Sequence, residues 1–150
     1  MDASDDLSTE AIERAFAGDP ERLRQFVTEL GAALPPGTTI ALRGSAVAGT
    51  SFKTGAPFDA LGPRTSDLDI VLVGESVVDF WLPDAQVLGG INTLPLSDDA
   101  DWVAPALDRA RRRAQEIVGR PVSLQAMAGW FLELRTQAQG QPHVVLSEGS

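Results

Sequence analysis

The sequence predicts a single α/β (α+β) domain, a small mixed sheet covered by helices. Three observations predict it. A chain of 150 residues is the length of one ordinary domain, and at that size roughly two thirds of the unfolded surface can be buried. Short β-prone runs, "TTIAL", "SDLDIVLV" and "PVSLQAM", alternate with segments of helical periodicity. No linker, internal repeat or low-complexity segment divides residues 1–150, and 43% hydrophobic with 22% charged residues is a globular composition.

Residues 1–36 read as a helical segment. Ser8-Thr-Glu-Ala-Ile is a helix start, and Asp19 is an N-cap with Pro20 at the first helical position. Leu23, Phe26, Val27 and Leu30 follow at helical spacing, giving two short helices or one broken at Gly18. Pro35-Pro36-Gly37 then turns the chain into a motif-bearing core, residues 38–127. Thr38 to Leu42 is the first strand. Residues 43–66 hold four glycines and two prolines without a sustained period, a long loop with one helical turn near Ala46. Loops beyond about 12–15 residues are uncommon in compact domains and are often functional.

Ser66 to Val73 is the second strand. Between Glu75 and Asp101 the pattern is ambiguous: "ESVVDFWL" reads as a short helix and "GGINTLPLSDDAD" as loop. Trp102 to Val118 is helical, with Asp98, Asp99 or Asp101 as caps, Pro105 in the first turn and Gly119 at the end. Pro121 to Met127 is the third strand. Residues 128–150 supply a last helix, Gly129 to Ala138, with Trp130, Phe131 and Leu134 on its buried side. "HVVL" at 143–146 adds an edge strand.

Composition excludes several classes of function. Without cysteine there is no disulfide framework, thiolate nucleophile or zinc–thiolate site. Twelve basic against 21 acidic residues, a net charge of −9, repels nucleic acid and anionic membranes unless basic groups cluster locally. The one basic cluster, Arg109, Arg111, Arg112 and Arg113, spreads around a helix and reads as surface ion pairing. No apolar run of membrane-spanning length or leader-like N-terminus is present, so a cytoplasmic protein is expected. His143, the one histidine, reads as inert, and Trp81, Trp102 and Trp130 as core or lid residues.

The residues that carry chemistry lie at the two ends of the loop. Alternation along a strand puts Asp67 and Asp69 on one face, roughly 6–7 Å apart, with Leu68 and Ile70 turned to the core. Two such carboxylates repel, and a divalent cation removes the repulsion. Mg²⁺ (or Mn²⁺) takes one or two carboxylates together with substrate phosphates. Gly44-Ser45 supplies the matching half: glycine lets backbone approach a phosphate, and the Ser45 hydroxyl can donate to its oxygens. Arg43, Lys53 and Arg64 can neutralise the phosphates, although Lys53 and Arg64 read equally as ordinary loop charges.

"IALRGS" followed by "SDLDIVLV" resembles the nucleotidyltransferases of the DNA polymerase β superfamily, whose motif is a hydrophobic strand, Gly-Ser, a spacer and Asp-x-Asp. "RGSAVAGTSFKTGAPFD" before "SDLDI" is similar, more narrowly, to nucleotidyltransferase-like domains of bacterial polymorphic toxins. The resemblance implies a polymerase-β-like nucleotidyltransferase fold and transfer of a nucleoside monophosphate from a nucleoside triphosphate to a hydroxyl acceptor, with ATP one candidate donor. RNA, a protein or a small molecule such as an antibiotic can be that acceptor. Asp67 and Asp69 would hold the metal, and Gly44 and Ser45 the phosphates. A toxin-like effector with a cognate immunity protein or antitoxin is implied, against a non-catalytic partner-binding relative or a small-molecule adenylyltransferase. The third carboxylate usual in the superfamily is missing from "PVSLQAM", which offers Ser123 and Gln125; Asp98, Asp99 and Asp101 are its candidate replacements.

Overall fold

A computed structural model of the chain describes residues 3–51 and 54–148, the side chains of residues 3–6 excepted. Among the described residues, five α-helices and six strands form one mixed α+β arrangement. Helices α1 (Ala3–Phe16) and α2 (Pro20–Gly31) are separate, broken at Ala17 and Gly18, which both adopt positive φ. Asp19 caps α2, its Oδ1 accepting from the Glu21 N–H at 3.0 Å, and Pro20 occupies the first turn. The first helix begins earlier than the Ser8 start expected from its capping pattern.

Strand β1 (Thr39–Arg43) is followed by the short helix α3 (Ser45–Ala48) and, after the loop, by β2 (Leu68–Val73). Two-residue strands β3 (Gln86–Val87) and β4 (Asn92–Thr93), helix α4 (Pro105–Val118), β5 (Val122–Met127), α5 (Gly129–Ala138) and β6 (His143–Ser147) complete the order. The sheet runs β3-β4-β5-β2-β1-β6. Most pairings are antiparallel; β2 and β5 run parallel, joined by a crossover that includes α4. The segment expected as loop at 89–101 carries β4 and three-residue 3₁₀ turns, elements too short to leave a period.

Alternation sorts the strands into two faces. Ile40, Leu42, Leu68, Ile70, Leu72, Val122 and Leu124 meet Phe16, Phe26, Leu30, Leu107 and Ala114 of α1, α2 and α4 in the larger core. Ala41, Val71 and Met127 face the other way and meet Leu132 of α5 in a smaller cluster. Trp81 is buried, its indole N–H donating to the Leu94 carbonyl at 2.8 Å. Trp102 and Trp130 are exposed, as is Leu134, so the outer side of α5 is not the buried stripe expected of it.

Arg111 departs furthest from a surface role. Its side chain is 1% exposed, and it donates to Asp108, to Asp98 at 2.9 Å, to Gln115 at 2.7 Å and to the Val122 carbonyl at 3.2 Å. This network fastens α4 to β5 and to the turn at Asp98–Ala100. Removing one partner of a buried pair strands the others, so Arg111→Ala is expected to lower the urea unfolding free energy by about 3–5 kcal/mol. Asp98 is 62% exposed, and Asp98→Ala should cost less than about 1 kcal/mol in the same measurement.

Candidate functional site

Antiparallel pairing places the exit of β1 beside the entry of β2, with Arg43 opposite Asp69. The parallel register of β5 sets Ser123 on the other side of Asp69. One row across the sheet therefore reads Arg43, Asp69, Ser123, all on the α5 face. Asp67 stands one residue before β2, where the strand expected from Ser66 has not yet begun. Arg43, Asp67 and Asp69 line a cleft of about 600 Å³ together with Gly44, Ser45, Ser51, Thr65, Ser66, Arg135 and Gln141.

Gly44 is where backbone conformation decides the geometry. Its φ of 82° and ψ of −153° fall in a region that only glycine occupies readily. A Cβ there would also drive into the Asp69 carboxylate, lying 3.2 Å from its Cγ and overlapping Oδ2. The turn can approach the carboxylate because it has no side chain. Asp69 Oδ1 accepts from the Ser123 hydroxyl at 3.0 Å. Beneath the turn, Arg14 of α1 donates to the carbonyls of Ala46 at 3.0 Å and Val47 at 3.3 Å, satisfying groups that so short a helix leaves open.

A clamp fixes the segment leading to Asp67. Asp59, itself at positive φ, takes both terminal nitrogens of Arg120 at 2.7 and 3.0 Å and the Ser66 N–H at 3.0 Å; its own N–H donates to Ser66 Oγ at 2.8 Å. Arg120 also donates to the Ser66 carbonyl at 3.1 Å and lies 4.6 Å from the Phe58 ring centroid. The loop from 43 to 66 is thus tied at its far end to the start of β5.

Carboxylates and cations share the cleft. Partial desolvation, then the charges of Asp69, Asp98 and Asp99, push the Asp67 carboxyl above the usual range. Burial and the neighbouring Arg135 charge lower Arg43, with Asp69 opposing them. Arg43 Nη2 donates to Gln125 Oε1 at 3.0 Å, and Nη1 reaches Gln141 Oε1 at 3.4 Å. Gln125 is held in turn by Asn92 Oδ1 and the Thr93 carbonyl, both at 2.8 Å. Gln125 is therefore spent on orienting Arg43.

Of the residues singled out in the sequence, Arg43, Gly44, Ser45, Asp67 and Asp69 converge on the cleft. Arg64 does not line it; its positive-φ backbone lays the side chain against Gly119, whose added Cβ would sit 3.2 Å from Nη1. Lys53 lies outside the described residues. The acidic run is no helix cap, since Ala104 is the N-cap of α4 and has no side-chain cap bond. Asp98 binds Arg111 and Gln115, and Asp101 reaches Arg112 at 3.5 Å. His143 Nδ1 shares a 2.7 Å hydrogen bond with Thr136 Oγ1.

Arg135 and Gln141 were not singled out in the sequence. They enter because β6 pairs with β1, folding the chain's last segment back over Arg43. The donor set suits a hard divalent cation: two carboxylates at one end of β2, one pushed up by partial burial and by its acidic neighbours, and a turn open enough to admit phosphate oxygens. Among the described residues no group of three or more His, Cys, Asp or Glu side chains is placed to hold a metal, which leaves two protein ligands as the basis of that fit. No helix there is long and apolar enough to cross a membrane. No protein-family model, curated protein or solved structure matches the chain.

Two outcomes test this geometry. Gly44→Ala should cost about 1–3 kcal/mol by urea unfolding, from the forbidden backbone alone. Asp59 is held down from 3.8 to about 2, chiefly by its hydrogen bonds from Arg120. A depressed carboxylate stabilises the fold above its unfolded value and loses that contribution as pH falls. The melting temperature of the wild type should fall as pH is lowered from 3.8 to about 2, and Asp59→Asn should remove that part of the slope.

Proposed function

We propose that the chain is a metal-dependent nucleotidyltransferase that moves a nucleoside monophosphate from a nucleoside triphosphate to a hydroxyl acceptor, releasing diphosphate. The observation that carries the reading is the approach of Gly44 to Asp69, a side-chain-free turn set against a carboxylate on the adjoining strand. Asp67 and Asp69 would hold Mg²⁺ or Mn²⁺. When bound, such an ion neutralises phosphate charge and lowers the barrier to displacement at phosphorus.

The chain's own residues do the positioning. Gly44 leaves room for phosphate oxygens, and the Ser45 hydroxyl, lining the same cleft, can donate to them. The Ser123 hydrogen bond aims the Asp69 carboxylate, and the Asp59–Arg120 clamp holds Ser66 and with it Asp67. Positioning and charge neutralisation supply most of the rate in such transfers, since the protein forms no covalent bond. Ser123 stands next to Asp69 where the sequence resemblance calls for a third acid. That observation favours a second reading, a non-catalytic relative that binds a partner. The toxin-like role, with an immunity protein or antitoxin as partner, rests on the similarity of "RGSAVAGTSFKTGAPFD" and "SDLDI" to toxin domains.

Incubation with Mg²⁺, each α-³²P-labelled nucleoside triphosphate and a bacterial lysate should transfer label to RNA, protein or a small molecule. Asp69→Asn should reduce transfer at least about a hundredfold, because loss even of groups behind a metal ligand costs 10–100-fold. Absence of label in every fraction, with no Mg²⁺-dependent nucleotide binding by calorimetry, would exclude the enzymatic reading and leave the binding module. Growth arrest on expression, relieved by Asp69→Asn, is the result expected of an effector.

A further inference from the structure

We propose that Arg43 and Arg135 form a phosphate-binding pocket on the α5 side of the cleft, receiving a phosphate or diphosphate group through their guanidinium N–H donors. Both side chains line the cleft, with Gln141 between the helix and the strand that carry them. Each has a buried Nε that finds no hydrogen-bond acceptor. Neither takes part in a salt bridge among the described residues, although acidic residues outnumber basic ones by 21 to 12 in this chain. Arg111 and Arg120, with side chains 1% and 7% exposed, are by contrast closed by carboxylates, although Arg120 Nε likewise lacks an acceptor.

Neutral groups orient the pair, and the Asp69 carboxylate opposite Arg43 offsets only part of the burial and of the Arg135 charge. Arg43 is held by the neutral amide oxygens of Gln125 and Gln141, and Arg135 rests 5.0 Å from the Phe131 ring centroid. The two positive charges oppose one another, so burial is unfavourable until an anion enters between them. Guanidinium forks match the oxygens of a phosphate, whose charge and spread let two arginines share one group. A single carboxylate carries half the charge and two oxygens, and would leave donors unmet.

The pocket requires no metal and no transfer chemistry, so it extends the nucleotidyltransferase reading without depending on it. Its phosphate has two sources under that reading, the donor's own triphosphate or a phosphate carried by the acceptor. Competition separates them. Inorganic diphosphate should be displaced by nucleoside triphosphate in the first case and bind beside it in the second.

The test is isothermal titration of the full chain with inorganic diphosphate, in low salt and without divalent cations. Saturable binding is expected, at least about tenfold weaker in Arg135→Gln and in Arg43→Gln, with Arg135→Lys between wild type and Arg135→Gln because it keeps charge and loses the fork. Circular dichroism and melting temperature check that each variant is folded. Arg113→Gln, which removes a charge from the far side of α4 beside Glu29, should leave the affinity unchanged. Absence of binding to the wild type overturns the proposal, as does equal weakening by Arg113→Gln and Arg135→Gln. Should Arg43→Gln fail to fold, the Arg135 series and the salt dependence of wild-type binding decide alone. Asp69→Asn keeps the two readings apart: it should abolish transfer and retain diphosphate binding.

Discussion

The antiparallel register of β1 and β2 is the constraint on which the cleft depends. Pairing Arg43 with Asp69 brings two chain segments separated by a long loop to one sheet end, and it leaves Gly44 no space for a side chain. A slip of one residue would turn Asp69 into the larger core and Ile70 out of it, so the buried face that stabilises the fold also fixes the carboxylate. Leu68, Ile70 and Leu72 are all buried on that face. Hydrophobic burial and the placement of charge are set by the same alternation.

Around that register opposite charges share one cleft. Carboxylates gather at the entry of β2 and in the Asp98 turn, and Arg43 and Arg135 line the cleft beside Asp69. Net charge alone gives no hint of this, because a chain of −9 reads as uniformly unreceptive to anions. Among the described residues, ion pairs occupy Arg14, Arg24, Arg111, Arg112, Arg113 and Arg120, whereas Arg43 and Arg135, which line the cleft, have none. Positive charge therefore lies inside the cleft, beside Asp67 and Asp69, in an acidic molecule.

Much of the fold and the first half of the site were legible. The three central strands, the capped α2, the turn of helix at Ala46, the α4 terminus at Gly119 and the final helix follow from periodicity, capping and glycine chemistry. Gly44, Ser45, Asp67 and Asp69 were legible because each lies next to a strand whose alternation orients it. Arg135 and Gln141 were not, because nothing local to α5 or the segment after it records which strand β6 will pair with. Arg111 reads as one more surface charge in an arginine run, and its burial depends on Asp98, Gln115 and the Val122 carbonyl, none of them helical neighbours on its own turn except Gln115. Arg64 is the reverse case: it is close to Asp67 in sequence, yet its positive φ turns its side chain toward Gly119.

The contact between Arg14 and the carbonyls of α3 gives the N-terminal helix a part in the site that its sequence position conceals. Residues 1–36 lie outside the motif, yet Arg14 supports the turn that presents Ser45. The last strand closes the same end of the sheet from the other terminus, beside Arg43. The cleft is therefore a product of nearly all the described chain, with contacts of high sequence separation at both ends, and a topology rich in such contacts folds slowly. Residues 40–73 taken alone would lack Arg135, Gln141 and the Arg14 support, so the cleft is not a property of the motif by itself.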